Sequence, residues 1–117
     1  MILDDFRLDG KVAYVTGGSR GLGRAMAEGL AEAGADVAIS ALPSEEEAMK
    51  DVAGYITSLG RRCLTIGVDL SDVEAAVASV DTVISSLGRL DILVNNAGIT
   101  RRRVSIEHTL DDWDAVM

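Results

Sequence analysis

An α/β architecture built on a parallel sheet is predicted for these 117 residues, on three observations. Short apolar runs alternate with segments of helical periodicity along the whole chain. Glycine falls where each helical segment stops, the position at which a left-handed residue closes a helix. The apolar runs are continuous rather than alternating, as strands are when helices cover both faces of their sheet. Such an alternation joins parallel strands through crossover helices.

Val12-Ala13-Tyr14-Val15 is the first strand, and a helical pattern runs from about Arg20, through Leu22, Met26, Leu30 and Ala33, to Gly34. Val37-Ala38-Ile39-Ser40 is the second strand. Ser44-Glu45-Glu46-Glu47 has the form of a capping box, in which serine and glutamate satisfy each other's orphan N–H groups. The helix it opens carries Ala48, Val52, Tyr55, Ile56 and Leu59 and stops at Gly60, and a third strand spans Cys63 to Val68. A second capping box, Ser71-Asp72-Val73-Glu74, opens a helix with Val73, Ala76, Val77, Val80, Val83, Ile84 and Leu87 as its apolar positions, closed by Gly88. Asp91-Ile92-Leu93-Val94 is the fourth strand. Thr109-Leu110-Asp111-Asp112 reads as a fourth helix start, with Trp113, Val116 and Met117 on its apolar face. The single proline, Pro43, precedes a helix start, where its missing N–H does no harm.

Composition bounds the function. With 48% hydrophobic residues the chain is globular and forms one domain at most. Nineteen acidic against eleven basic residues leave a net charge of −8, the wrong sign for a nucleic-acid footprint. Solubility accounts for that acidity. No apolar run reaches the length of a membrane span, and the N-terminus lacks a signal pattern, so a cytoplasmic protein without nucleic-acid or membrane partners is expected. Cys63 has no second cysteine to pair with and lies in the apolar run Cys63-Leu64-Thr65-Ile66, which makes it a small core residue. His108 reads as a surface residue beside a helix cap, and Tyr14 as core.

The chemistry concentrates at Thr16-Gly17-Gly18-Ser19-Arg20-Gly21-Leu22-Gly23, between the first strand and the first helix. Glycines there let the backbone take positive φ and approach a ligand without Cβ contacts. The following helix start presents unpaired N–H groups and a partial positive charge to an anion. The expected anion is the pyrophosphate of a dinucleotide, lined by Gly17, Gly21 and Gly23. Asn95-Asn96-Ala97-Gly98 follows the fourth strand directly, where its amides can bond neighbouring backbone and its small residues leave room. In open α/β sheets the ligand crevice lies outside these strand ends, so both motifs face one crevice.

Together these residues closely resemble the short-chain dehydrogenase/reductase family. Thr16 to Gly23 matches its cofactor turn, Asp69-Leu70 its adenine-contacting pair, and Asn95 to Gly98 its sheet-stabilising motif. The resemblance runs from about Leu8 to Met117 and implies a truncated Rossmann-like, doubly wound parallel sheet of order 3-2-1-4. Residues 1–117 would then be the N-terminal part of a single NAD(P)-binding domain. Its implied cofactor contacts are Gly17, Ser19, Arg20, Gly21, Leu22, Gly23, Ser40, Asp69, Leu70, Asn95, Ala97 and Gly98. Met1-Ile2-Leu3, Leu59-Gly60-Arg61-Arg62 and Asp112 to Met117 resemble the sugar-acid dehydrogenases within that family. Gly98-Ile99-Thr100-Arg101 also resembles its 3-oxoacyl-carrier-protein reductases, which stay open as an alternative.

Arg101, Arg102 and Arg103 follow the fourth strand, so a guanidinium there can fork onto a substrate carboxylate. Taken singly, each is as well explained as a solvated loop charge. Between NAD and NADP the balance tilts to NADP: Ser40-Ala41-Leu42 carries no acid for a ribose hydroxyl, and Arg20 can meet a 2′-phosphate. No metal is called for.

The resemblance also calls for a catalytic tyrosine with a lysine four residues on, and the lysine lowers the phenol's pKa. Gly18 and Leu59 stand four residues after Tyr14 and Tyr55, and Lys11 and Lys50 lie away from the crevice. The expectation is an N-terminal portion of a longer oxidoreductase that acts on a secondary alcohol or ketone and forms homo-oligomers. On that reading the chain alone holds the cofactor half and is inactive. A complete, non-catalytic nucleotide-binding module is the rival class.

Overall fold

The computed structural model describes residues 7–96. They form β1 (Val12–Thr16), α1 (Gly21–Glu32), β2 (Asp36–Ala41), α2 (Glu46–Ser58), β3 (Cys63–Gly67), α3 (Val73–Leu87) and β4 (Ile92–Asn95), with a 3-10 turn at Pro43–Glu45. All strand pairs are parallel, in the order β3-β2-β1-β4. The doubly wound sheet expected from the sequence is the observed one. The expected fourth helix, Ala97, Gly98 and Arg101 to Arg103 lie outside the described residues.

β1 is buried along its whole length because both of its faces are covered. Ala13 and Val15 join Val37, Ile39 and Ala41 under Ala27 and Ala31 of α1 and Met49, Val52 and Ile56 of α2. On the opposite face, Val12, Tyr14, Ala38 and Leu93 pack with Val83 and Leu87 of α3. The small alanines of α1 bring that helix close to the sheet, which fixes the height of its N-terminus above the end of β1.

Two helix starts differ from their sequence reading. Ser44 does not cap α2. Pro43 opens a 3-10 turn closed by Glu45 N donating to Leu42 O at 2.8 Å, so α2 begins only at Glu46 and has no side-chain cap. The cap of α3 moves one residue on, to Asp72, whose carboxylate accepts from Ala75 N at 3.2 Å. Ser71 is instead oriented toward the preceding loop: its N–H and hydroxyl both donate to Asp69 Oδ1, at 2.9 and 2.7 Å.

The apolar face assigned to α3 is also revised. Val73, Val77 and Ile84 are exposed among the described residues, whereas Ser79 is buried. Ser79 serves the core tyrosine: Tyr14 donates its phenolic proton to Ser79 Oγ at 2.8 Å, and Ser79 donates to Ala76 O at 2.6 Å. Burial pushes the Tyr14 phenol up. Met49, absent from the expected face of α2, is buried there, while Tyr55 lies outward and donates to Glu32.

Candidate functional site

The carboxyl ends of three strands meet at one level, with Thr16 of β1 paired to Ser40 of β2 and to Asn95 of β4. The sheet order reverses at β1, whose sequence neighbour lies on one side and β4 on the other. A crevice between connections that leave in opposite directions belongs there.

The turn after β1 is pinned to β2. Gly17 N and Gly18 N both donate to Ser40 O, at 2.8 and 3.1 Å. Ser40 thus supports the turn through its backbone; its side chain is fully buried, and its hydroxyl makes no hydrogen bond of good geometry. Gly17 and Gly21 hold φ of 68° and 61°, the left-handed region in which an L side chain is strained. They rotate the chain out of the strand and into α1. Ser19 is buried inside this turn, while Arg20 and Leu22 are exposed.

α1 begins without a side-chain cap and without an acid in its first turn. α3, by contrast, has its Asp72 cap and Glu74, and α2 has Glu46 and Glu47 in its first turn. The first-turn N–H groups of α1 are therefore not neutralised by any carboxylate of their own turn. Uncapped donors at the positive end of a helix dipole suit a phosphate oxygen.

Gly23 carries a packing role as well. A Cβ there would lie 2.0 Å from Gly17 O and 2.8 Å from Asn96 Nδ2. The residue is buried and lets α1 press onto the turn and onto the chain just past β4. Thr16 locks the same corner: Asn96 N donates to Thr16 Oγ1 at 2.9 Å, and Thr16 Oγ1 stands 3.0 Å from Asn95 Oδ1. The paired amides thus tie β4 to β1. The sequence motif includes both asparagines, with only Asn95 among the implied cofactor contacts; Asn96 sits one residue past the strand, facing the glycine that cannot grow.

Asp69 lies just past β3, where its carboxylate orders the start of α3 through Ser71; Leu70 beside it is partly buried.

Glu45 is the residue that sequence reading missed. The end of β2 carries no acid, yet the 3-10 turn brings Glu45 back to the glycine turn. Arg20 Nε and Nη2 donate to Glu45 Oε1 and Oε2 at 2.7 and 2.6 Å, and Ser19 Oγ donates to Oε1 at 3.2 Å. The Arg20 hydrogen bonds hold the Glu45 carboxyl below its ordinary value. The signal was the proline: reading Ser44 as a cap placed Glu45 inside a helix, pointing elsewhere.

No cluster of metal-ligating side chains occurs among the described residues, and no helix among them is long and apolar enough to cross a membrane. Cys63 is half-buried, and burial pushes its thiol up to about 11.

A family model described as short chain dehydrogenase matches residues 11–117. The chain belongs to the short-chain dehydrogenase family. It is 45% identical over 117 residues to 2-dehydro-3-deoxy-D-gluconate 5-dehydrogenase of Dickeya dadantii, covering 100% of this chain and 45% of that protein. A short chain dehydrogenase of Burkholderia cenocepacia, solved in complex with NADP, superposes with a TM-score of 0.75 at 53% identity, over 79% of this chain and 37% of that one. Carveol dehydrogenase of Mycobacterium avium, solved in complex with NAD, gives 0.72 at 41% identity, over 79% of this chain and 37% of that one. The chain thus spans less than half the length of the relatives it matches.

Proposed function

We propose that this chain binds a nicotinamide dinucleotide, NAD or NADP, and forms the cofactor-binding part of an oxidoreductase acting on a small alcohol or ketone. The observation that carries this reading is the start of α1, uncapped and free of acids above a turn held in left-handed backbone by Gly17 and Gly21. These residues fit a pyrophosphate, because its oxygens would find backbone donors that nothing else in that turn satisfies. When bound, the nicotinamide ring supplies the hydride donor or acceptor.

The chain's own residues bind and orient. Gly17, Ser19, Gly21 and Leu22 border the pyrophosphate, and Gly23 sets the approach of α1 to it. Asp69 and Leu70 meet the adenine, Ser40 supports the ribose end through its backbone, and Asn95, Ala97 and Gly98 form the crevice wall toward the nicotinamide. Arg20 stands where a ribose 2′-phosphate would come, which favours NADP.

A sugar acid is the proposed substrate, supported by the name of the Dickeya relative and by Arg101, Arg102 and Arg103, cations suited to a carboxylate. Proton transfer at the substrate oxygen needs an acid or base within hydrogen-bond reach, and neither tyrosine has a lysine four residues later. The 117-residue chain by itself is therefore proposed to bind dinucleotide without turning over substrate.

Calorimetric titration of the chain with NAD and NADP, alongside nicotinamide absorbance in the presence of deoxygluconate-type acids, tests this. Saturable binding without turnover is the expected result. Absence of binding to either dinucleotide would overturn the cofactor reading, and turnover would overturn the assignment of proton transfer to residues that this chain lacks.

A further inference from the structure

We infer that Glu45 sets the cofactor preference of this site, by holding the Arg20 guanidinium in a fork that a ribose 2′-phosphate must open. The inference rests on the dinucleotide reading above and asks what chooses between the two dinucleotides.

Arg20 alone would favour NADP. Its guanidinium is not free, however: both carboxylate oxygens of Glu45 are engaged, by Nε at 2.7 Å and Nη2 at 2.6 Å. Two parallel N–H···O bonds are the geometry in which arginine grips a carboxylate, and a phosphate would use the same two donors. Ser19 Oγ, 3.2 Å from Oε1, donates to the same oxygen that Arg20 Nε grips and adds a second hold on the carboxylate. The contact crosses 25 positions of chain, from the turn after β2 to the turn after β1, so it is not a local helix pair.

The consequence differs for the two dinucleotides. A 2′-phosphate brings about −1.5 to −2 charges and must take Arg20 away from Glu45, leaving two anions side by side. A ribose 2′-hydroxyl is neutral and can donate to the Glu45 carboxylate while Arg20 stays where it is. Glu45 thus takes the part of the acid that the end of β2 lacks, reached through Pro43 rather than through the strand. The pair is exposed, so the effect is that of a screened charge, about tenfold rather than thousandfold.

The test compares adenosine 2′,5′-bisphosphate with AMP, and NADP with NAD, by calorimetric titration of wild-type chain, Glu45→Gln and Glu45→Asp. Glu45→Gln is expected to raise the preference for the 2′-phosphorylated member of each pair about tenfold, mainly through tighter binding of that member. Glu45→Asp, one methylene short of the fork, should give a smaller shift in the same direction. In an Arg20→Ala background most of the Glu45→Gln gain should vanish, because the freed guanidinium is what supplies it. An unchanged preference in Glu45→Gln, or a gain undiminished by Arg20→Ala, would overturn the inference while leaving the dinucleotide site standing. Wild-type chain and variants that bind none of the four ligands would overturn both.

Discussion

Replacing Gly23 with alanine adds one methyl group at the most crowded point of the site. Its Cβ would lie 2.0 Å from Gly17 O, where a non-bonded carbon and oxygen ordinarily stand about 3.3 Å apart. More than about 1 Å of movement is required, and the obstruction is backbone in the turn, with Asn96 Nδ2 at 2.8 Å closing the other side. Overpacking of this kind costs about 1–3 kcal/mol, and a backbone obstruction puts it at the upper end. Alanine's better helix propensity returns up to about 1 kcal/mol, leaving a net loss of about 2 kcal/mol. Gly29, in the same helix, supplies the control: it is exposed, and a Cβ there meets nothing within 4 Å. Gly29→Ala should stabilise by about 0.5–1 kcal/mol. Urea denaturation followed by far-UV circular dichroism should therefore separate the two substitutions by about 3 kcal/mol with similar m-values. Equal stabilities would refute the close approach of α1 to the turn. Gly23→Ala should also weaken dinucleotide binding, since the turn has to shift to admit the methyl group.

Two further outcomes follow from the ionisable groups. Cys63, with its thiol pushed up to about 11 by burial, should alkylate with iodoacetamide roughly two orders of magnitude more slowly at neutral pH than in urea-unfolded chain, and equal rates would refute its burial. Asp91 is held below its ordinary value by Arg89, whose Nη2 donates at 2.7 Å, and by Val12 N at 2.8 Å. A carboxyl depressed in the folded chain contributes stability that is complete above its unfolded value, about 4, and is lost as pH falls through the lower folded value. Urea midpoints of wild-type chain should therefore fall across that acid window more steeply than those of Asp91→Asn, and parallel curves would refute the contribution.

The strand-turn-helix unit was legible because its signals are local: an apolar strand, glycines that turn the backbone, then apolar residues at helical spacing. Parallel pairing followed from the alternation of elements through crossovers, while the order 3-2-1-4 came from the family resemblance. Non-local choices were not legible. Ser71 matches a cap by pattern, but it turns toward Asp69, and Asp72 caps α3. Ser79 looks polar and outward until Tyr14, 65 residues away, needs an acceptor. Val73, Val77 and Ile84 read as core from periodicity, yet the sheet meets α3 through Val83 and Leu87. Glu45 is the costliest omission for function: a proline two residues before it converts an expected helix turn into a 3-10 turn and carries its carboxylate to Arg20.

The turn after β1 and the start of α1 are proposed to receive the pyrophosphate. The most direct measurement is nuclear magnetic resonance of isotope-labelled chain titrated with NADP, following each backbone amide. Saturable shifts are expected to concentrate at the amides of Gly17 to Gly23, with Glu45 and Asn95 moving less and the far ends of α2 and β3 staying still. Saturable shifts that leave Gly17 to Gly23 unmoved would place the ligand elsewhere and contradict the claim.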